Sequence, residues 1–337
     1  MDIRELNPFD DDGLRRWYDV YRAALTAGRE YHSAYSFEEV RAALRNAPPS
    51  LRHRPLLALA GGELVGVVGS WIPLLENRRM FQLEVAVRPD RWGQGIGGTL
   101  LAAAERLARE EGRTVLVGEA AYPFDAPADG SGTRAVEFAR RHGFQFGLGD
   151  VQRVLDLPAP QDLLDELAAR AAERHEGYRF RQFSGLAPEE LLPDVAELRA
   201  AVETEAPTGD MDRERGVVDL DAVRADEAAL AAQGRTRFTT VALAPDGTMA
   251  GYTDLVVPEF DPQWIYQWGT LVWGAHRGHR LGLALKARNA AWVQQVFPER
   301  HAIRTWNAEA NVHMVAINEA MGFRPVERLG EFQKRLA

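Results

Sequence analysis

The fold is decided by the stretch LEVAVRPDRWGQGIGG, which runs from Leu83 to Gly98. An alternating apolar strand, Phe81 to Val87, leads into a glycine-rich turn. The helix that follows has apolar residues at helical spacing, namely Ile96, Leu100, Leu101, Ala104 and Leu107. In such a turn, main-chain N–H groups surround the positive end of a helix, so the pattern is typical of a phosphate-binding site.

The same pattern occurs a second time. With an offset of 185 residues, Leu83 to Gly98 is matched by WGTLVWGAHRGHRLGL, which runs from Trp268 to Leu283. A later pair, Arg141 to Phe144 and Ala320 to Phe323, matches at an offset of 179 residues. A duplicated chain keeps its glycine turn in register with the flanking strand and helix. The register therefore favours a shared function over a turn chosen only for its geometry.

A dinucleotide-binding fingerprint is the competing interpretation of the first turn. Gly93, Gly95 and Gly98 fit its glycine spacing, and Glu119 follows at a strand end. The fingerprint expects its first glycine directly after the strand, whereas Arg88 to Trp92 intervene here. The second copy also lacks the spacing, so a nicotinamide enzyme is the less favoured alternative.

Composition excludes several other classes. The 337 residues carry a net charge of −9 and contain no cysteine, so disulfides, thiolate metal sites and cysteine nucleophiles are excluded. An acidic surface repels nucleic acid and anionic membranes, and we expect neither as a partner. No apolar run of transmembrane length and no signal peptide is visible, which predicts a cytoplasmic protein. No residue spacing suggests a metal site.

The order of predicted elements indicates an α+β protein with two similar domains, each a mostly antiparallel mixed sheet flanked by helices. Pro158 and Pro160 interrupt the pattern, and a connecting helix follows. We therefore predict a first domain over residues 1–157, a linker helix over 158–176 and a second domain over 177–337.

These residues resemble a known family, the GNAT N-acetyltransferases. The resemblance occurs once in each half and so covers nearly the whole chain. The family signature is Gln/Arg-x-x-Gly-x-Gly/Ala after the fourth strand, followed later by an Asn-bearing segment and a Gly-Phe pair. The first turn matches with Trp92 in place of Gln or Arg, and the second with Arg280 in place of the middle glycine. Such chains look like the tandem, double-GNAT acetyltransferases.

The resemblance implies that each turn holds the pyrophosphate of acetyl-CoA, with pantetheine along the preceding strand. The cofactor-binding residues implied in the first half are Val85, Val87, Gly93, Gln94, Gly95, Ile96, Gly97 and Gly98. Those implied in the second half are Leu271, Val272, Trp273, Arg277, Gly278, His279, Arg280, Leu281, Gly282 and Asn307.

The resemblance also implies catalytic groups. Many family members have a tyrosine acid five residues before the phenylalanine of the Gly-Phe pair, where this chain has Ala139 and Asn318. Asn311 and Asn318 are expected to face the cofactor in the second half, although Asn311 equally fits a plain helix cap. Glu84 is the candidate base of the first half, or a surface acid. Since the first half lacks the Asn-bearing segment, we expect the second half to be catalytic.

The function implied is acetyl transfer from acetyl-CoA to the amine of a small molecule, by direct attack on the thioester. Candidate substrate-binding residues are Glu203, Glu205, Gln267 and Thr270, although the acids also fit a solvated charge run. The alternative is a coenzyme A sensor or scaffold with one or both halves inactive. The chain is expected to be a monomer with pseudo-dimeric halves, or a homodimer.

Overall fold

The computed structural model describes residues 1–336, with only the backbone of Glu203. Strands in the first half are β1 (Asp2–Glu5), β2 (Leu51–Arg52), β3 (Leu56–Ala60), β4 (Glu63–Pro73), β5 (Met80–Val87), β6 (Val115–Pro123) and β7 (Gln145–Asp156). Its helices are α1 (Asp11–Thr26), α2 (Phe37–Arg45), α3 (Ile96–Glu110) and α4 (Arg134–Arg141). The mixed α+β architecture predicted from the sequence is confirmed.

The second half repeats this order after one extra helix. Its helices are α5 (Gln161–Ala172), α6 (Leu192–Glu205), α7 (Leu220–Ala232), α8 (Leu281–Val296) and α9 (Val312–Ala320). Its strands are β8 (Arg179–Ser184), β9 (Arg235–Leu243), β10 (Met249–Pro258), β11 (Trp264–Val272), β12 (Ala302–Ala308) and β13 (Arg324–Arg335). No helix among the residues described is both long and apolar enough to cross a membrane.

The contacts divide the chain into two units. The first unit contains residues 1–149, 209–212 and the chain end from Arg328. Its strands follow the order β1-β3-β4-β5-β6-β13, with β2 beside β4. Helix α1 packs on one face of this sheet through Leu14, Trp17 and Tyr21. Helix α3 packs on the other face through Leu100 and Ala104, as expected of helices with one apolar stripe.

The second unit contains residues 150–208 and 213–327, and its strands follow the order β7-β12-β11-β10-β9-β8. Neighbouring strands are antiparallel except for β11 and β12, which are parallel. Helix α8 packs with α5 and strands β9 to β11, while α6 packs with β10 and β11. The core around α8 includes Leu283, Ala287, Val293 and Met321.

The last strand of each half changes unit along its length. Strand β7 begins in the first unit and ends in the second, and β13 does the reverse. The C-terminal part of β13 therefore completes the sheet next to β6, where Leu336 N donates to Thr114 O at 2.8 Å. Phe332, on this part of β13, is 1% exposed in the core of the first unit. This division differs from a simple cut of the chain near residue 157.

Candidate functional site

Each unit contains a gap between two parallel strands. Strands β5 and β6 pair only between Met80–Gln82 and Val115–Val117. Strands β11 and β12 pair only between Trp264–Tyr266 and Ala302–Arg304. Past these residues the two strands of each pair are no longer hydrogen-bonded to one another. The main-chain groups along the inner edges are therefore free to bind an extended ligand.

The glycine turn of the first unit lies at the end of β5. Gly93 and Gly95 have φ values of +77° and +79°, which favour glycine over other residues. Gly95 caps α3, whose first turn contains no acid and whose cap makes no side-chain hydrogen bond. Within residues 1–336, no hydrogen-bond partner is found for the amides of residues 93–98. These amides at a helix N-terminus form a site suited to phosphate.

The turn of the second unit reaches the same geometry with a different residue. Gly278 has a φ of +87°, and Arg280, in the position of Gly95, caps α8 with a φ of +53°. The Arg280 side chain points toward α5, where Nη1 lies 2.9 Å from the Glu173 carboxylate. The first turn of α8 also lacks an acid. Both turns thus have a geometry suited to binding phosphate.

The other predicted turn residues lie beside this anion site. His276 Nδ1 lies 2.9 Å from the Tyr178 hydroxyl, and His279 Nδ1 lies 2.9 Å from Arg174 O. Arg277 Nη2 lies 3.0 Å from the carboxylate of Glu205. Glu205 was predicted to recognise substrate, but the structure pairs it with the turn. The side chain of Glu203 lies outside the described residues.

A cavity of about 660 Å³ fills the gap of the first unit. It is lined by the turn, by Val85 and Val87 of β5, and by α4. Ala24 of α1 also lines it, so the cavity extends past β5 to the face of the sheet that α1 covers. Phe332 contributes from the chain end.

An aromatic and cationic pair borders the first cavity. Trp92 Nε1 donates to Val87 O at 2.8 Å, and the Arg134 guanidinium carbon lies 3.0 Å from the centre of its ring. Gly97 and Gly98 face α4, where an added Cβ would lie 3.0 Å from Phe138 and from His142, respectively. These two glycines therefore also permit the close approach of α4 to α3. Sequence reasoning missed Arg134, since α4 has no motif to mark it.

A cavity of about 690 Å³ occupies the corresponding gap of the second unit. It is lined by the turn, by Thr270 to Val272 of β11 and by the start of α9. Val202, Glu205 and Pro207 line it from α6 and the loop that follows. Of the predicted substrate residues, Thr270 and Glu205 therefore line this cavity. Gln267 is buried instead and donates to the main-chain oxygen of Asp254 at 2.7 Å.

The three asparagines predicted to act in the second half have different environments. Asn311 lines the cavity and caps α9, accepting from Met314 N at 3.2 Å. Asn318 does not line the cavity and is fully buried, with its Nδ2 donating to Asn307 Oδ1. The prediction that Asn318 faces the cleft is therefore wrong, because its side chain is buried away from the cavity. The spacing from the Gly-Phe pair puts Asn318 on the inner side of α9, where it holds Asn307.

Glu84 lies half-buried on β5, between the cavity-lining residues Leu83 and Val85. Its side chain is on the α1 face and accepts a hydrogen bond from the Tyr21 hydroxyl. Burial raises the pKa of Glu84 to about 7, against opposing effects of Tyr21 and Arg29. Burial, and then the Glu84 charge, raise the pKa of Tyr21 well above its usual value. A carboxyl with a pKa near neutrality suits a general base.

The second unit has no side chain at the equivalent position. Gly269 matches Glu84, and a Cβ there would collide with the Tyr252 hydroxyl. At the same offset of 185 residues, Asp254 on β10 matches Gly69 on β4. The second unit therefore has a carboxylate near this position, but on the neighbouring strand. Asp254 accepts from Thr239 Oγ1 at 2.5 Å and lies 3.5 and 3.6 Å from Arg199 and Arg237. Its carboxylate is thus held by three neighbours.

Part of the chain matches a known protein family, and the whole chain matches solved structures. The model of the Acetyltransferase (GNAT) family matches residues 14–144. A tandem GNAT protein from the clavulanic acid biosynthesis pathway matches over 99% of this chain and 98% of its own, with 28% identity and a TM-score of 0.79. The chain is therefore similar to GNAT acetyltransferases along its whole length, and its first half matches the family model. The resemblance found in the sequence, including its tandem arrangement, is confirmed.

Two further GNAT structures share the fold at lower identity. A GNAT protein from Sphaerobacter thermophilus matches 99% of this chain and 95% of its own, with 17% identity and a TM-score of 0.64. The glucosamine N-acetyltransferase region of a fungal multi-domain β-N-acetylglucosaminidase matches 98% of this chain and 38% of its own, with 16% identity and a TM-score of 0.66. No curated protein sequence matches the chain significantly. The family match over residues 14–144 and the tandem GNAT structure support acyl transfer as the general activity.

The described residues contain no group of three His, Asp or Glu side chains that could hold a metal ion. Tyr21 is a second functional candidate that sequence reasoning missed. Its signal was its place on the apolar stripe of α1 with Leu14, Trp17 and Tyr18.

Proposed function

We propose that the protein transfers an acetyl group from acetyl-CoA to the amine of a small molecule. The observation that carries the proposal is the pair of matching cavities. Each runs from a turn with unpartnered amides along a strand edge that has lost its hydrogen-bonding partner. A phosphate group at the turn and an extended chain along the strand together describe an acyl-CoA.

The amides of the turns would hold the pyrophosphate, because they lie at a helix N-terminus and no first-turn acid repels the anion. The free main-chain groups of Val85 to Val87 and of Leu271 to Trp273 would hold pantetheine. In the first unit, Trp92 Nε1 already donates to the main-chain oxygen of Val87. The ligand would therefore bind the adjacent main-chain groups of this strand. A bound acyl-CoA supplies the thioester carbon that the amine attacks.

The first cleft is the better supported place for the transfer, which differs from the expectation based on sequence. An acceptor amine must lose a proton to attack, and Glu84 is a carboxyl of suitable pKa on the strand that lines this cleft. Ala24 extends the lining to the α1 face, where Glu84 meets Tyr21. The second cleft has Gly269 in this place, so we assign it to binding acyl-CoA rather than to activating an outside amine.

The test uses one substitution placed identically in each turn. Gly97→Asp and Gly282→Asp each put a carboxylate in the first turn of a helix, where it favours the helix and repels phosphate. Titration calorimetry with acetyl-CoA should give two sites in the natural protein and one in each variant. Thiol release with a panel of amines should be lost in Gly97→Asp and Glu84→Gln and kept in Gly282→Asp.

Loss of turnover only in Gly282→Asp would place the reaction in the second cleft. Binding without any turnover would favour the alternative, a coenzyme A sensor or scaffold. Absence of binding in the natural protein would refute the proposal.

A further inference from the structure

The cavity of the first unit has an apolar inner end. Val87, Val85 and Leu83 of β5 line this cavity in order from the glycine turn inward, and pairing with β6 resumes at Gln82. An extended ligand that starts at the turn therefore ends beside Leu83, where the gap closes. Further cavity-lining residues pack in the same core cluster as Leu83, namely Leu101, Ala120, Ala139, Phe144 and Phe332. Together with Leu83 they form what we call the inner pocket.

The inner pocket suits an aliphatic group, because all six of its side chains are apolar. Apolar groups gain free energy when they leave water for such surroundings. The acetyl group of acetyl-CoA offers only one methyl group to these side chains. A longer acyl chain would bury more carbon against the same residues.

Within the residues described, the second cavity lacks the matching lining. At the offset of 185, Leu101 is matched by Lys286, and at the offset of 179, Ala139 is matched by Asn318. Neither Lys286 nor Asn318 lines the second cavity, and each is larger and more polar than its counterpart. Asn318 is also held by its hydrogen bond to Asn307. The two cavities therefore differ at the end where an acyl group would lie.

We propose that the first cleft accepts acyl-CoA donors with an acyl chain longer than acetyl, whose alkyl tail occupies the inner pocket. The second cleft, without this pocket, has no preference for a longer chain. This inference rests on the proposed binding of acyl-CoA in both clefts, and it specifies the class of donor that the first cleft uses.

The two faces of β5 keep the donor and the acceptor apart. Side chains alternate along a strand, so Leu83 and Val85 lie on the face of α3, whereas Glu84 lies on the face of α1 and meets Tyr21. The acceptor amine attacks the thioester carbon, an N–C bond forms and the C–S bond breaks. Glu84 takes the proton of the amine, which then passes to the sulfur that leaves as the thiol of coenzyme A.

Titration calorimetry with acetyl-CoA and butanoyl-CoA tests the inference in the two turn variants of the full-length protein. Gly282→Asp keeps only the first cleft, where butanoyl-CoA should bind about tenfold more tightly, because its two additional methylenes are buried. Gly97→Asp keeps only the second cleft, where butanoyl-CoA should bind no more tightly than acetyl-CoA.

Two substitutions fill the inner pocket from different elements. Ala139→Leu on α4 and Ala120→Val on β6, each made in the Gly282→Asp protein, should abolish the preference for butanoyl-CoA and retain binding of acetyl-CoA. Ala135→Leu is the matched control, since Ala135 is an exposed residue one helical turn before Ala139 and lies outside the core cluster. This control should leave the ratio of the two affinities unchanged.

The outcomes separate this inference from the proposed function. Binding of acetyl-CoA by Gly282→Asp without any preference for butanoyl-CoA would overturn the inference alone. An equal preference in both clefts, or a preference that survives both filling substitutions, would also overturn it. If Gly282→Asp bound neither donor, the first cleft would not be an acyl-CoA site, and the proposed function of that cleft would fail as well.

Discussion

The ionisation of Glu84 gives the first cleft a pH dependence that can be measured. Only the ionised carboxylate accepts a proton, so kcat/KM should rise as pH increases through about 7, the pKa of Glu84. Glu84→Gln should lower kcat/KM about 100-fold at pH 8 and remove this rise, since a positioned base contributes about this much. Glu30→Gln, at an exposed acid in the loop after α1, is the control and should change neither.

The same ionisation affects stability. The pKa of Glu84 is raised on folding, from 4.5 to about 7. The protonated carboxyl therefore favours the folded state below pH 4.5, and this contribution is lost as pH rises through 7. Glu84→Gln should thus be more stable than the natural protein at pH 8, by about 1–3 kcal/mol. Chemical denaturation at pH 4 and pH 8 measures the difference, and a variant that is less stable at pH 8 would contradict the buried carboxyl.

Tyr21 positions and tunes Glu84 without touching the substrate. Its hydroxyl donates to the Glu84 carboxylate and so favours the ionised form. Tyr21→Phe should shift the pH profile of kcat/KM upward by about one pH unit, because a hydrogen bond to a charged group contributes roughly this much. Tyr18→Phe removes a hydroxyl of the same helix that donates to Tyr35 O and should leave the profile in place.

At the level of elements, two different sequences form one kind of turn. The glycine spacing placed the turn correctly in both halves, since a strand, a turn and a helix are local features. It did not indicate that Arg280 would adopt the left-handed conformation of Gly95. Asn318 was also misplaced, because spacing from the Gly-Phe pair gives its position in α9 but not which side of the helix faces the cleft.

The backbone requirement of this turn can be tested by a matched pair of alanines. Gly95 and Gly274 each have nothing within 4 Å of an added Cβ, but only Gly95 has a positive φ, of +79°. Gly95→Ala should therefore lower the free energy of unfolding by about 1 kcal/mol, and Gly274→Ala should change it little. Equal losses in urea denaturation would show that side-chain space, and not backbone conformation, decides this position.

At the level of the whole molecule, the chain end belongs to the first unit. Periodicity predicted the strands of both halves and their order along the chain. It could not predict which strand pairs with β6, because a strand's alternation is the same whichever neighbour it has. The assignment of Phe332 to the first cavity therefore came only from the structure.

Phe332 should accordingly affect a cleft that lies far from it in sequence. Phe332→Ala should destabilise the first unit by about 3–5 kcal/mol, as expected for a buried phenylalanine. The substitution should also weaken acetyl-CoA binding in the first cleft, and it should leave binding in the second cleft unchanged. Phe260→Ala, at a residue that is 43% exposed, is the control. Calorimetry that showed only the second site weakened would contradict this placement of β13.

The place of β13 has a consequence for synthesis of the chain. Residues 328–335 are synthesised long after β6, yet they complete the sheet that contains β6 and residues 2–5. Chains are made at about 5–20 residues per second, so the nascent first unit waits for tens of seconds with β6 unpaired on that side. An open strand edge invites wrong pairing. Truncation of the chain before residue 328 should therefore damage a unit whose other residues were translated much earlier.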